Sequence, residues 1–198
     1  MKKLFIIAVL LVSFCLSISC YADDITDQIT QALGLYKQDK YSEAVSELRF
    51  AIGQIHGLQA EKIKLSLPKP LSGWKGAESE SSQSSMTIMG GGLAVSKEYT
   101  KGEQSVNIEI VTESPLLQTV MMFIANPMFV EKGKKLIKVG SHKAVIEYNN
   151  TDMNGNLQIV VGNKTLVTVN GSSIPDKNIL IEYANKIDFE KIKQIVGE

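Results

Sequence analysis

The longest regular pattern of apolar and polar positions runs from Ser105 to Phe129. Val106, Ile108 and Ile110 alternate with Ser105, Asn107 and Glu109, the period-two signature of a half-buried strand. Ser114 then supplies an N-cap and Pro115 a first helical position, where a missing N–H costs nothing. Leu116, Leu117, Val120, Met121, Met122, Phe123 and Ile124 follow, interrupted only by Gln118 and Thr119, and Asn126-Pro127 closes the helix. A helix this apolar needs cover, and the later strands are expected to provide it. The spacing turns Leu117, Val120, Met121 and Ile124 toward a sheet and leaves Leu116, Met122 and Phe123 pointing partly elsewhere.

Before this stretch the periodicity is helical. Ile25, Ile29, Ala32, Leu33 and Tyr36 have amphipathic helical spacing, Lys37 to Lys40 is a polar break, and Ser42 is placed to cap a second helix carrying Val45, Leu48, Ile52 and Ile55 in one stripe. Leu67 to Trp74 then breaks any helix with Pro68, Pro70 and Gly73, and Ala77 to Ser85 is polar and reads as a mobile loop. Met86 to Met89 is a short strand signal. Gly90-Gly91-Gly92 is a turn or bulge that matches neither phosphate-binding glycine pattern. Leu93, Val95 and Tyr99 alternate with Ala94, Ser96 and Glu98, and Lys101-Gly102 turns the chain into the Val106 strand.

After Phe129 the pattern predicts a charged loop over Glu131 to Lys135, a strand over Leu136 to Val139, a turn at Gly140-Ser141 and a meander of Ala144–Tyr148, Leu157–Val161 and Leu166–Val169. Asn154-Gly155 is a type I′ hairpin signal and Gly162-Asn163 a tight turn. Ser173 and Asp176 resemble a capping box ahead of Leu180, Tyr183, Ala184 and Ile187, and Asp188 is placed to cap a last helix with Phe189, Ile192 and Ile195. Strands at hairpin spacing, followed by helices, predict an α+β fold. The expected form is an N-terminal helical hairpin followed by an antiparallel sheet packed by helices on one face. The expected segments are 1–22 signal peptide, 23–64 hairpin, 65–85 linker and polar loop, and 86–198 sandwich-like domain.

Composition places the chain. Lys2 and Lys3 precede an apolar run, Leu4 to Leu16, shorter than a membrane span requires, and Cys20-Tyr21-Ala22 fits a cleavage site before Asp23. The reading is a cleaved export signal and a periplasmic product with no transmembrane span; a lipoprotein anchored through Cys20 is the alternative. Cleavage removes both cysteines, Cys15 and Cys20, so the mature chain has no thiol chemistry. It also takes the balance from 21 basic and 21 acidic residues to 19 against 21, a charge of −2. With Arg49 the single arginine, nucleic-acid binding is disfavoured. The Asn149, Asn163 and Asn170 glycosylation-type triplets read as turn formers.

Ala32, Leu35, Tyr41, Ala44, Leu48 and Ala51 fall on the small and large positions of a tetratricopeptide repeat, which the first helical pair resembles. Gln28 and His56 stand at that motif's tryptophan and proline positions, and there is one copy. The resemblance implies a docking hairpin; a plain hairpin packed on its own domain is the simpler expectation. The mature chain as a whole is similar to uncharacterised exported proteins of Gram-negative bacteria. That likeness rests on the hairpin, on Leu67–Trp74 (L-P-x-P-L-x-G-W), on Val111–Gln118 (V-T-E-S-P-L-L-Q) and on Ala125–Met128 (A-N-P-M). In element order, residues 65–198 resemble the Mog1/PsbP type of domain, which implies an accessory or binding module and no catalytic residue.

Few residues suggest chemistry. His56 and His142 are 86 positions apart with no metal-binding spacing and read as isolated surface histidines. No G-x-S-x-G elbow occurs. Glu109 and Glu147 are candidate paired carboxylates, with solvated outer-face residues as the default. Six methionines, Met86, Met89, Met121, Met122, Met128 and Met153, are expected first in the core, second on an apolar partner surface and third, through Met86 and Met89, as copper(I) ligands. Trp74 is either the floor of a ligand site or a plug at the core edge. The expectation is a non-enzymatic accessory protein without cofactor or metal. It binds a periplasmic protein partner, with Leu116, Met122, Phe123 and Trp74 as the candidate surface. A carrier of a small apolar ligand or lipid is the first alternative, and an enzyme with an unrecognised site the second.

Overall fold

The computed structural model describes residues 20–78, 80–82, 92–126, 128 and 133–198. The signal run Leu4–Leu16, the Met86–Met89 strand with its methionine pair, Gly90-Gly91, Pro127 and Glu131 lie outside the described residues. The chain divides into two compact units, residues 1–55 and 56–198.

In the first unit, α1 (Cys20–Tyr36) is followed by α2 (Tyr41–Lys64), whose last nine residues belong to the second unit. The turn between them uses the polar break: Asp39 takes a left-handed φ of 61°, and the Lys40 N–H returns to the Leu35 carbonyl at 3.1 Å. Helix α2 starts two residues earlier than expected. The Ala44 N–H donates to the Lys40 carbonyl, so Ser42 lies inside the first turn and does not cap it. Small residues close the pair: Ala32, Ala44 and Ala51 are buried, and the Glu47 carboxylate accepts from the Gln28 and Gln31 side-chain amides.

The second unit is built on an antiparallel sheet. Its strands are β1 (Lys75–Gly76), β2 (Glu80–Ser82), β3 (Ala94–Lys101), β4 (Gln104–Thr112), β5 (Lys134–Val139), β6 (His142–Asn149), β7 (Asn154–Val161) and β8 (Thr165–Ser172). The order is β1-β3-β4-β8-β7-β6-β5, with β2 also pairing β3. Glu80–Ser82, expected in a mobile loop, is thus a paired strand. In register, Ile110 lies between Val95 and Val167, and Ile108 next to Val169. These rows, continued by Ile159, Leu157, Ala144 and Ile146, form the face of the main core. Helices α4 (Asn178–Ala184) and α5 (Phe189–Val196) cover that face, together with Ala60 and Ile63 from the end of α2.

The alternate residues of the same strands, Val145, Val160 and Leu166, form a second cluster on the opposite face under α3 (Pro115–Ala125). The fold class is the expected α+β sheet with helices. The one-face arrangement describes α4 and α5, while α3 takes the other side.

Two turn expectations change. Asn154 and Gly155 are paired strand residues, and the β6–β7 turn is residues 150–153, where Asn149 Oδ1 accepts from the Thr151 N–H at 2.8 Å. Gly155 and Gly171 lie opposite each other on the core face. A Cβ on Gly155 would sit 2.8 Å from Leu180 Cδ1; one on Gly171 would meet Leu180 at the same distance and collide with Ile174. The glycines therefore form a notch that seats Leu180. Helix α4 begins after the expected capping box: Ser173 has φ 55°, and Asp176 Oδ1 accepts from the Asn178 N–H at 2.9 Å. Asn170, read as a turn former, lies in β8 and accepts from the Asn156 amide at 2.6 Å. Asp188 caps α5 as expected, accepting from the Lys191 N–H at 3.0 Å.

Candidate interaction surfaces

Helix α3 forms where the apolar run predicts it. Ser114 is the N-cap, its hydroxyl accepting from the Leu116 N–H at 3.2 Å. Leu117 and Val120 are buried against the sheet, with Phe123 and Ile124 packed partly on the same cluster. Leu116 and Met122 are 60% and 49% exposed. Phe123, expected to point partly away from the sheet, is half-buried: it leans on the cluster beneath Lys134, whose Nζ lies 5.4 Å from the ring centre. Met121, expected against the sheet, is exposed. The helix is narrower in its buried stripe than its composition suggests, because among the described residues the cluster under it consists of Val145, Val160 and Leu166.

Trp74 lies elsewhere. It packs against the main core, edge-on to Tyr183 at 5.5 Å and 85°. Tyr183 in turn rests 4.5 Å from Tyr99. The proline segment closes over these rings: the Tyr99 hydroxyl donates to the Pro68 carbonyl at 2.7 Å, and the Leu71 N–H donates to the Tyr183 oxygen at 3.4 Å. Burial, reinforced by Tyr183 alongside, drives the Tyr99 phenol far above its ordinary range. Burial also raises Tyr183, partly offset by its hydrogen bond from Leu71. Leu67–Trp74 is therefore packed chain as well as a helix breaker, and Trp74 is a plug at the core edge. It faces the opposite side of the sheet from α3, so it shares no surface with Leu116, Met122 and Phe123.

The hairpin carries a surface that the candidate residues omit. Tyr41, Val45, Leu48, Ile52 and Ile55 recur at intervals of four and three along α2, and all five are exposed. Ala44 and Ala51 sit one position before Val45 and Ile52 and face α1 instead. The helix thus has two apolar stripes. The small one closes the hairpin and the large one faces water. On α1, Ile29, Leu33 and Tyr36 are also exposed, and the Tyr36 and Tyr41 rings lie 5.7 Å apart. The signal was present in the double stripe, which gives α2 more apolar positions than one neighbouring helix can bury.

The titratable residues do not converge. Glu109 on β4 and Glu147 on β6 have β8 and β7 between them, so they are not a facing pair; Glu109 lies beside Ser96 and Thr168, Glu147 beside Lys134 and Asn156. His142 is half-buried with its ring 4.6 Å from Phe189, and burial together with Lys193 lowers its pKa against the opposing effects of Glu190 and the Val160 carbonyl. It is packed, not an isolated surface residue. Among the described residues no group of three or more His, Cys, Asp or Glu is placed to hold a metal ion, and no helix is long and apolar enough to cross a membrane. The four described methionines, Met121, Met122, Met128 and Met153, are all exposed, which overturns the core-packing expectation for them. The core rows are filled by branched aliphatic residues on strands, which pack a pleated surface better than a flexible thioether. No protein-family model, curated protein or solved structure matches the chain.

Proposed function

We propose that this is an exported, non-enzymatic accessory protein of the periplasm that binds another protein through the large apolar stripe of α2. The observation that supports the reading is the exposure of Val45, Leu48, Ile52 and Ile55 in a strict three-and-four spacing. A repeat of 3.5 residues presents a straight seam to a second helix, and from Tyr41 to Ile55 the seam is about 21 Å long at 1.5 Å per residue. Each half-exposed side chain gains about 1 kcal/mol on burial. Association itself costs roughly 4–15 kcal/mol. Five seam residues supply about 5 kcal/mol, the low end of that range, and a stable complex has the partner also cover Ile29, Leu33 and Tyr36. The likeness to exported Gram-negative proteins belongs to the same reading.

The test is a photo-crosslinking residue placed at Leu48 in the full chain, expressed with its signal and examined in the periplasmic fraction. The expected result is one discrete adduct, lost in the Val45→Glu/Ile52→Glu variant and absent when the crosslinker stands at exposed Glu98. Adducts that survive that double substitution, or none at all, reject the seam as the contact surface. The mass of the purified chain tests export: a mature N-terminus at Asp23 supports the cleaved product, and an acylated Cys20 replaces it with the lipoprotein.

A further inference from the structure

At the end of α3 an open groove of about 400 Å³ is lined by Ile124, Leu136, Ile137, Lys138 and Lys143. Its volume falls within the roughly 300–1,000 Å³ of small-molecule sites. Two features of the sheet set its chemistry. Leu136 pairs with Val145 across β5 and β6 on the α3 face, which gives an apolar floor continuous with the cluster under the helix. Two positions along, Lys138 pairs with Lys143. Like charges directly opposite each other on a sheet repel. The other end of the same ladder shows the usual arrangement, Lys134 opposite Glu147. Among the described residues none that lines the groove is acidic, and α3 carries no charged side chain. The C-terminal end of that helix offers about half a negative charge, which does not balance two ammonium groups.

We infer that the groove between Ile124 and the Lys138–Lys143 pair binds a small amphipathic anion, with its alkyl chain on Leu136 and Ile124 and its carboxylate or phosphate head between the two lysines. This site is independent of the hairpin seam, on a different element and for a different class of ligand. An anion between the ammonium groups converts a repulsive pair into two charge-assisted contacts. The apolar floor beside it selects against plain inorganic anions.

The experiment is calorimetric titration of the full mature chain with dodecanoate, dodecyl phosphate and dodecyltrimethylammonium, each below its micelle-forming concentration. The expected result is a single saturable site for an anionic amphiphile, at least about tenfold weaker for the cationic one, and weakening with added salt. The Lys138→Gln/Lys143→Gln variant, exposed at both positions, is expected to keep its circular dichroism and lose at least about tenfold in affinity. Leu116→Gln, on the same helix outside the groove, is expected to bind unchanged. Whichever of the two anions binds more tightly identifies the head group within the inference. Equal binding of the cationic amphiphile, or undiminished affinity in the lysine variant, overturns it. Association with phosphatidylglycerol vesicles without saturable uptake of either free anion also overturns it, because the lysines then form a lipid-surface contact and not a ligand site.

Discussion

The core face of the sheet and the hairpin are made from the same residue types in equally regular patterns, with opposite outcomes. Along β4, Val106, Ile108 and Ile110 are fully buried. Along α2, Val45, Leu48, Ile52 and Ile55 remain 39–49% exposed. The strand has neighbours on both edges and two helices above it. Among the described residues of its own unit, α2 has one neighbouring helix, and that contact is taken by Ala44 and Ala51. Apolar periodicity therefore marks a face that can be buried. Burial itself requires a second surface of matching extent, which the sheet has and which the large hairpin stripe does not have among the described residues of its unit.

The difference is sharpened by substitutions at the two kinds of position. Leu180→Ala should have the largest effect, lowering unfolding free energy in urea by about 2–5 kcal/mol, because Leu180 is fully buried in the notch over Gly155 and Gly171. Gly171→Ala adds a methyl group to the same notch and should cost roughly 1–3 kcal/mol. The two substitutions together should cost less than the sum of the singles, since the smaller side chain relieves the methyl group's contact with Leu180, while its contact with Ile174 keeps the relief partial.

Tyr99→Phe keeps the ring stack with Tyr183 and removes only the hydrogen bond to Pro68. It should cost about 1 kcal/mol, and an unchanged denaturation midpoint would mean that the proline segment is not held by that bond. His142 supplies a smaller, pH-dependent effect. Its folded pKa lies below the ordinary 6.5, so between the two values the unfolded chain binds more protons and stability rises with pH. Stability should therefore fall as pH drops through 6.5 toward the folded value, and His142→Phe should flatten that slope in urea titrations at several pH values. The smallest effect is expected on the hairpin. Leu48→Gln should change unfolding free energy by no more than about 0.5 kcal/mol. A cost of several kcal/mol would show that the stripe is buried in solution and would remove the contrast with β4.

Much of the secondary structure was legible. The Val106 strand, the Ser114-Pro115 start of α3, the Asp188 cap and the Leu180–Tyr183–Ala184–Ile187 stripe each follow from a local rule, and local rules act through the backbone within a few residues. The failures share a cause. Asn154-Gly155 has the composition of a turn, but its glycine answers to Leu180, 25 positions away. The Ser173–Asp176 capping box does not form, because the chain first passes through Ile174, buried beside Gly171, and Asp176 alone accepts from the start of the helix. The candidate surface was legible in half. Leu116 and Met122 are exposed as read, whereas Phe123 and Trp74 are held by partners on opposite faces of the sheet.

The sequence by itself determined the α+β class, the apolar character of α3 and the doubled stripe on α2, because hydrophobic period is a property of a segment. Tertiary structure decided which side of the sheet each helix covers, that Lys138 stands opposite Lys143, and which apolar stripe stays in water. Those outcomes depend on strand register and on the area available to cover each face, and both are set by residues far apart in the chain.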